Sequence, residues 1–176
     1  MDKKAIILVG GSFNNDRHVT KMRKVDTHRI DTLLEKADPD KVLFVIGHTL
    51  TGYERYLVDH NHGKFEIYAF VPSMLNDAQI QKLRKSEVSV RVSIEPIGMG
   101  IYKSYTYEIF QRREAVLIAF DGNSAGVNMI QEAKNGKHKA KIYVSEHCRI
   151  LSNKAKSLEG YVTVFDDTMN CMDWIK

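Results

Sequence analysis

The sequence predicts a single doubly wound α/β domain of about six mainly parallel strands. Three observations carry this expectation. Apolar runs such as "AIILV", "VLFVI" and "AVLIAF" are too short for buried helices and do not alternate, so they suit strands covered on both faces. Stretches of helical periodicity separate them along most of the chain. Finally, 176 residues with 43% hydrophobic and 27% charged composition can bury one core without disulfide or metal support.

The elements follow in order. Lys4 to Val9 reads as a buried strand closed by Gly10 and Gly11. An amphipathic helix fits Arg17 to Lys36, with Val19, Met22, Ile30, Leu33 and Leu34 as its apolar positions and Asp38-Pro39 as its stop. Lys41 to Gly47 is a second buried strand; Thr51 can cap the next helix and Gly63 ends it. Phe65 to Pro72 is a third strand, followed by a short helix opening at Asn76 or Asp77. Val88 to Ile94 alternates apolar and polar residues, which suits a strand near an edge. A helix around Tyr105 to Arg113, the strand "AVLIAF", the helix "GVNMIQEAKNG" and the strand "AKIYV" complete the alternation. "YVTVF" can add one more strand. Residues 1–147 are thus expected to form the domain, and 148–176 an extension that packs on it or on a partner subunit of a homo-oligomer.

Composition narrows the function classes. A net charge of +4 is mild and compatible with an anionic ligand. Cys148 and Cys171 have no metal-binding or disulfide-framework spacing, so neither metal nor cofactor is expected. No segment approaches the roughly 20 apolar residues of a membrane span, and "MDKKAIILVGG" is too brief for a signal segment. A cytoplasmic protein without membrane contact is the expectation. His60 and His62 in "DHNHG" lack a completing ligand set and read as solvated, while His147 and Cys148, adjacent on an extended chain, face apart.

Right-handed crossovers gather the strand-to-helix loops at one edge of such a sheet. The loop "GGSFNNDRH" offers glycines and helix-start amides to an anion, yet it has neither GxGxxG nor a GK[ST] ending. "GHTLTGYE" supplies Thr49, Thr51 and the Gly52 backbone, with a plain turn and N-cap as the competing reading. "PIGMGIYKSYTYE" brings two glycines and several tyrosines. "DGNSAG" is either an Asp-Gly turn capped by Ser124 or a fourth part of the same rim. Together the loops leave room for a phosphate or ribose against the backbone.

"VGGS" after the first strand, "VIGHTLTGYERYLVD" after the second and "VLIAFDGNSAGVNMIQEAKNGK" after the fifth resemble the SLOG superfamily. That group includes the Rossmann-like domains of the DNA-processing protein A family, the lonely-guy phosphoribohydrolases and nucleotide-sensing SLOG domains of bacterial defence proteins. The late motif corresponds to Asp121, Gly122, Ser124, Gly126 and Asn128, and the second-strand motif to Gly47, Gly52 and Glu54. The resemblance spans roughly Ala5 to Val144, in element order more than in identity. The Pro-Gly-Gly-x-Gly-Thr-x-x-Glu string of the lonely-guy enzymes is absent, and Phe13 replaces the arginine that often follows Gly-Ser, leaving Arg17 nearest.

The resemblance implies a Rossmann-like fold that binds a nucleotide-derived small molecule as a sensor or sequestering module. The expected contacts are Gly10, Gly11, Ser12, Gly47, Thr49, Asp121, Gly122, Ser124 and Asn128, with Tyr102 or Tyr105 stacking on a base. A related resemblance, to nucleoside 2-deoxyribosyltransferases, implies glycosidic-bond chemistry on a nucleoside or NAD-like substrate. There Glu108 is the nucleophile, oriented by Tyr105 or Tyr107, and Asp121 holds ribose hydroxyls; the plain alternative makes Glu108 a first-turn helix residue. A third class, DNA binding, rests on Lys21, Arg23, Lys24 and Arg29 of the first helix and on Lys134, Lys137, Lys139 and Lys141, although a charge-rich helix is usually a solvated face.

Overall fold

A computed structural model describes residues 3–10, 22–72, 77–93, 114–122, 126–127, 129–131, 140–148 and 160–176. Seven strands form one sheet: β1 (Lys4–Val9), β2 (Val42–Ile46), β3 (Ile67–Pro72), β4 (Ser89–Ser93), β5 (Ala115–Ala119), β6 (Ala140–Ser145) and β7 (Thr163–Phe165). Their order is β4-β3-β2-β1-β5-β6-β7, and every pairing is parallel. This is a single Rossmann-like doubly wound α/β domain. The strand beyond the expected six is "YVTVF", which pairs with β6.

The winding follows from the apolar pattern. β1, β2 and β5 are almost wholly buried, so each must be covered on both faces. Side chains alternate across the sheet: Ile6 and Leu8 enter one core with Phe44, Ile46, Val116 and Ile118. Ala5, Ile7 and Val9 enter the other with Leu43, Val45, Leu117 and Ala119. From β1 to β4 the chain steps one way across the sheet, through α1 (Lys24–Lys36), α2 (Gly52–Asn61) and α3 (Asp77–Lys85). Ile30, Leu33, Leu57 and Leu83 place these helices on the first core. β5 and β6 step the other way, and a right-handed crossover must then use the opposite face. The helical residues 126–127 and 129–131 lie there, with Val127 and Ile130 buried in the second core.

Two expectations need correction. The first helix begins at Lys24, and Met22 and Arg23 precede it; Arg23 is extended, its amide donating to the Tyr53 hydroxyl at 2.8 Å. That bond holds the backbone out of the helix, and Met22 is left 37% exposed instead of in the core. Residues 17–21 lie outside the described part. Second, α1 is not simply a solvated basic face. Arg29 is buried, pairs with the buried Asp26 at 2.8 Å, and donates to the carbonyls of Asp166 and Met169. Its guanidinium also lies over the rings of Phe165 and Trp174, at 4.9 and 5.7 Å from their centroids. Arg23 forks onto Asp167. Two of the four first-helix basic residues invoked for DNA, Arg23 and Arg29, are therefore engaged with the C-terminal segment.

That segment closes the first core. After β7, a 3-10 helix (Cys171–Ile175) seats Trp174 on Tyr143, with ring centroids 4.7 Å apart, and on Phe165 at 4.6 Å. Lys4 Nζ donates to the carbonyls of Ile175 and Lys176, tying the chain's end to β1. Among the described residues, no helix is long and apolar enough to cross a membrane.

Candidate functional site

A doubly wound sheet reverses its winding between two neighbouring strands, and the loops leaving them diverge to open a crevice. Here those strands are β1 and β5. β1 leads into Gly10 and β5 runs into Phe120, Asp121 and Gly122, with the Phe120 amide donating to the Val9 carbonyl at 3.0 Å. β2, on the other side of β1, ends at the loop Gly47 to Thr51. Gly10, Gly47, Thr49, Asp121 and Gly122 thus share the carboxyl edge. Gly11, Ser12, Ser124, Asn128 and Glu108 lie outside the described residues, as do Tyr102, Tyr105 and Tyr107.

The described rim is built around two neighbours, Tyr53 and Glu54. The Tyr53 amide donates to the Gly10 carbonyl at 3.0 Å, and its ring lies 5.2 Å from that of Phe120. A Cβ at position 10 would stand 2.8 Å from Tyr53 Cδ2. Glycine is needed there for the tyrosine, whatever else the crevice receives. Burial pushes the Tyr53 phenol up from its ordinary value.

Glu54 is buried and accepts the Gly47 amide at 2.8 Å. Burial pushes its carboxyl up to about 7, against the Gly47 hydrogen bond, which favours the charged form. A Cβ on Gly47 would lie 3.2 Å from Glu54 Oε1, so this glycine too serves an internal contact. Next to it, burial lowers the His48 imidazole and favours its neutral form, while the His48 carbonyl accepts Gln79 Nε2 from α3 at 2.7 Å.

The start of α2 departs from its sequence pattern. Thr51 and Glu54 have the Thr-x-x-Glu spacing of a capping box, in which each side chain would satisfy the other's backbone amide. Neither does so. Thr51 sits at the N-cap without a side-chain cap bond, its hydroxyl lies 3.3 Å from that of Thr49, and Glu54 turns to Gly47. The Thr51 side chain therefore caps neither the Gly52 nor the Glu54 amide at the start of this ten-residue helix, where Gly52 itself has φ 57°. The approach is strained as well: Leu50 is buried with φ 52°, a left-handed conformation that costs a branched side chain about 1–3 kcal/mol and tends to occur at functional sites.

On the β5 side, Asp121 is buried and its Oδ1 accepts the Gly122 amide at 2.8 Å, the local turn expected of Asp-Gly. The arrangement can accept an anion at the α2 amides, with Asp121 across the β1 end. Tyr53 and His48 were not anticipated from the sequence, and Glu54 only as part of a motif. No sequence pattern marks an aromatic ring as the filler over a distant glycine.

No family model matches the chain. No curated protein matches it either. Among solved structures it is similar to glucose-6-phosphate 1-dehydrogenase from Mycobacterium avium, at 12% identity and a TM-score of 0.37. That similarity covers 82% of this chain and 29% of the dehydrogenase, so the chain spans under a third of that protein's length.

Proposed function

We propose that this protein binds a nucleotide-derived small molecule, of the ADP-ribose or nucleoside-phosphate type, as a SLOG-like sensor or sequestering module. One observation carries the reading: at the carboxyl edge beside the strand-order reversal, the Gly52 and Glu54 amides in the first turn of α2 receive no cap from the Thr51 and Glu54 side chains, which are bonded elsewhere, while the Tyr53 amide is taken by the Gly10 carbonyl. Such amides suit a phosphate. The Glu54 carboxyl beside them is half protonated near neutral pH, which removes part of the negative charge a phosphate would meet. Asp121, across the end of β1, suits ribose hydroxyls.

Thermal-shift and calorimetric titration with ADP-ribose, nucleoside monophosphates and cyclic nucleotides tests this. A binder raises the melting temperature by mass action, and Asp121→Asn weakens the nucleotides more than inorganic phosphate. The absence of any shift across the panel at millimolar ligand would remove the reading.

A second reading, cleavage of a glycosidic bond, gains support from Glu54 itself. A carboxyl raised to about 7 by burial, next to the carboxyl edge of the sheet, suits acid-base work at neutral pH. Base release from NAD, nucleoside monophosphates and deoxynucleosides, compared in the wild type, Glu54→Gln and Glu108→Gln, distinguishes the two readings. A ligand that binds without release supports the module.

A further inference from the structure

We infer that the C-terminal segment, residues 166–176, regulates the carboxyl edge of the sheet through Arg23, a latch with two carboxylate positions. Arg23 is held at three points. Its amide donates to the Tyr53 hydroxyl at 2.8 Å, and its carbonyl accepts the Asp26 and Thr27 amides that open α1. Its guanidinium forks onto Asp167 at 2.8 and 2.7 Å. One residue thus joins the rim tyrosine, the first helix and the segment beyond β7.

A second route reaches the same tyrosine from its ring. Tyr53 lies 5.2 Å from Phe120 between ring centroids, Phe120 lies 5.9 Å from Phe165, and Phe165 lies 4.6 Å from Trp174. Packed rings pass a displacement on, because a close-packed interior leaves each little room to absorb it. Tyr53 is therefore tied to the segment by its hydroxyl, through Arg23, and by its ring, through Phe120 and Phe165. It is also the residue that packs on Gly10 where β1 reaches the edge.

Asp26 supplies the second position of the latch. This carboxylate is wholly buried; Oδ1 accepts Arg29 at 2.8 Å, while Oδ2 has no hydrogen bond and lies 3.7 Å from Arg23 Nη1. A buried carboxylate oxygen without a hydrogen bond is costly, so Asp26 competes with Asp167 for the guanidinium. Asp167 offers a two-bond fork but its side chain is 43% exposed, which weakens the pair; Asp26 offers one bond in a buried place. Two discrete arrangements of one side chain are what coupling between distant parts requires. With Arg23 on Asp167, the segment is tied to the start of α1 and Tyr53 is fixed over Gly10. With Arg23 turned to Asp26, the segment loses that tie and the ring route to Tyr53 loosens with it. By linkage, a ligand that fixes Tyr53 tightens the segment to the same degree. The nucleotide reading decides only what is regulated; the coupling exists without ligand, and its test needs none.

The test is amide hydrogen exchange of the full chain. Asp167→Asn, at a partly exposed side chain, should speed exchange of the Tyr53 amide, which is bonded to the Gly10 carbonyl, by about two- to fivefold. The Phe44 and Val45 amides of β2 should keep their wild-type rates, which separates coupling from general destabilisation. From the other side, Tyr53→Phe removes the hydroxyl. It should speed exchange at Thr168 and Met169 beyond any change in β2, and alter the emission of Trp174, the chain's single tryptophan. Asp26→Asn should speed the Tyr53 amide more in the Asp167→Asn background than in the wild type, since Arg23 has then lost both positions. Unchanged Tyr53 exchange in Asp167→Asn overturns the coupling. Strictly additive effects of Asp26→Asn and Asp167→Asn overturn the second position.

Discussion

Glu54 carries a cost that one atom's replacement should reveal. Its carboxyl titrates near 4.5 in the open chain and about 7 in the fold, because burial disfavours the anion. Between those values the folded state keeps a proton that the unfolded state gives up. This group's contribution to stability is therefore full below about 4.5 and is lost as pH rises through about 7. Above that point the penalty is about 3 kcal/mol. Glu54→Gln keeps an acceptor for the Gly47 amide and removes the penalty. Denaturant unfolding at about pH 5 and about pH 8 should show the variant gaining on the wild type at the higher pH. An equal difference at both would mean that the carboxylate is better solvated than its burial indicates.

At the scale of elements, α1 and the C-terminal segment are joined through Arg29. The guanidinium meets Asp26 within its own helix, two carbonyls of the segment, and the faces of Phe165 and Trp174; the Cys171 thiol donates back to the Arg29 carbonyl. Truncating one member of a buried pair strands the other. Arg29→Met should cost about 3–5 kcal/mol, and Arg29→Met combined with Asp26→Asn clearly less than the sum of the two single changes. A double-mutant cycle by chemical denaturation measures this. Strict additivity would show that Asp26 does not depend on Arg29, and that the arginine acts only through the carbonyls and rings it touches.

For the whole molecule, sheet order sets a gradient of protection. β1, β2 and β5 are central, bonded along both edges and covered on both faces, whereas β7 is a three-residue edge strand with Val164 46% exposed. Amide hydrogen exchange should therefore be slowest in β1, β2 and β5 and open locally, at lower free energy, in β7. Equal protection in β7 and β1 would mean that the C-terminal packing of Trp174 makes the edge unfold only with the rest. Crevice and clamp are linked here, since Arg23 gives its amide to Tyr53 at the rim and its side chain to Asp167 beyond β7. A ligand that shifts Tyr53 should therefore change exchange at Thr168 and Met169 too.

The architecture was legible in the chain because its signal is local. Uninterrupted Ile, Val and Leu runs in β1, β2 and β5 cannot be satisfied with one face in water, and alternation with helical periods leaves a parallel sheet as the economical solution. The edge place of β4 followed from its alternation in the same way, and so did the presence of Gly10, Gly47, Asp121 and Gly122 at strand ends. Tertiary structure alone decided what those residues do. The Thr51 and Glu54 spacing reads as a capping box, but the Gly47 amide, arriving from β2, offers Glu54 a buried partner that the helix start cannot match. Arg29 reads as a solvated charge until a segment 137 residues away covers it with carbonyls and aromatic rings. Local pattern reports which faces of an element must be buried. Which partner arrives to bury a given polar group depends on contacts between distant parts of the chain, and no window of sequence contains both sides of such a contact.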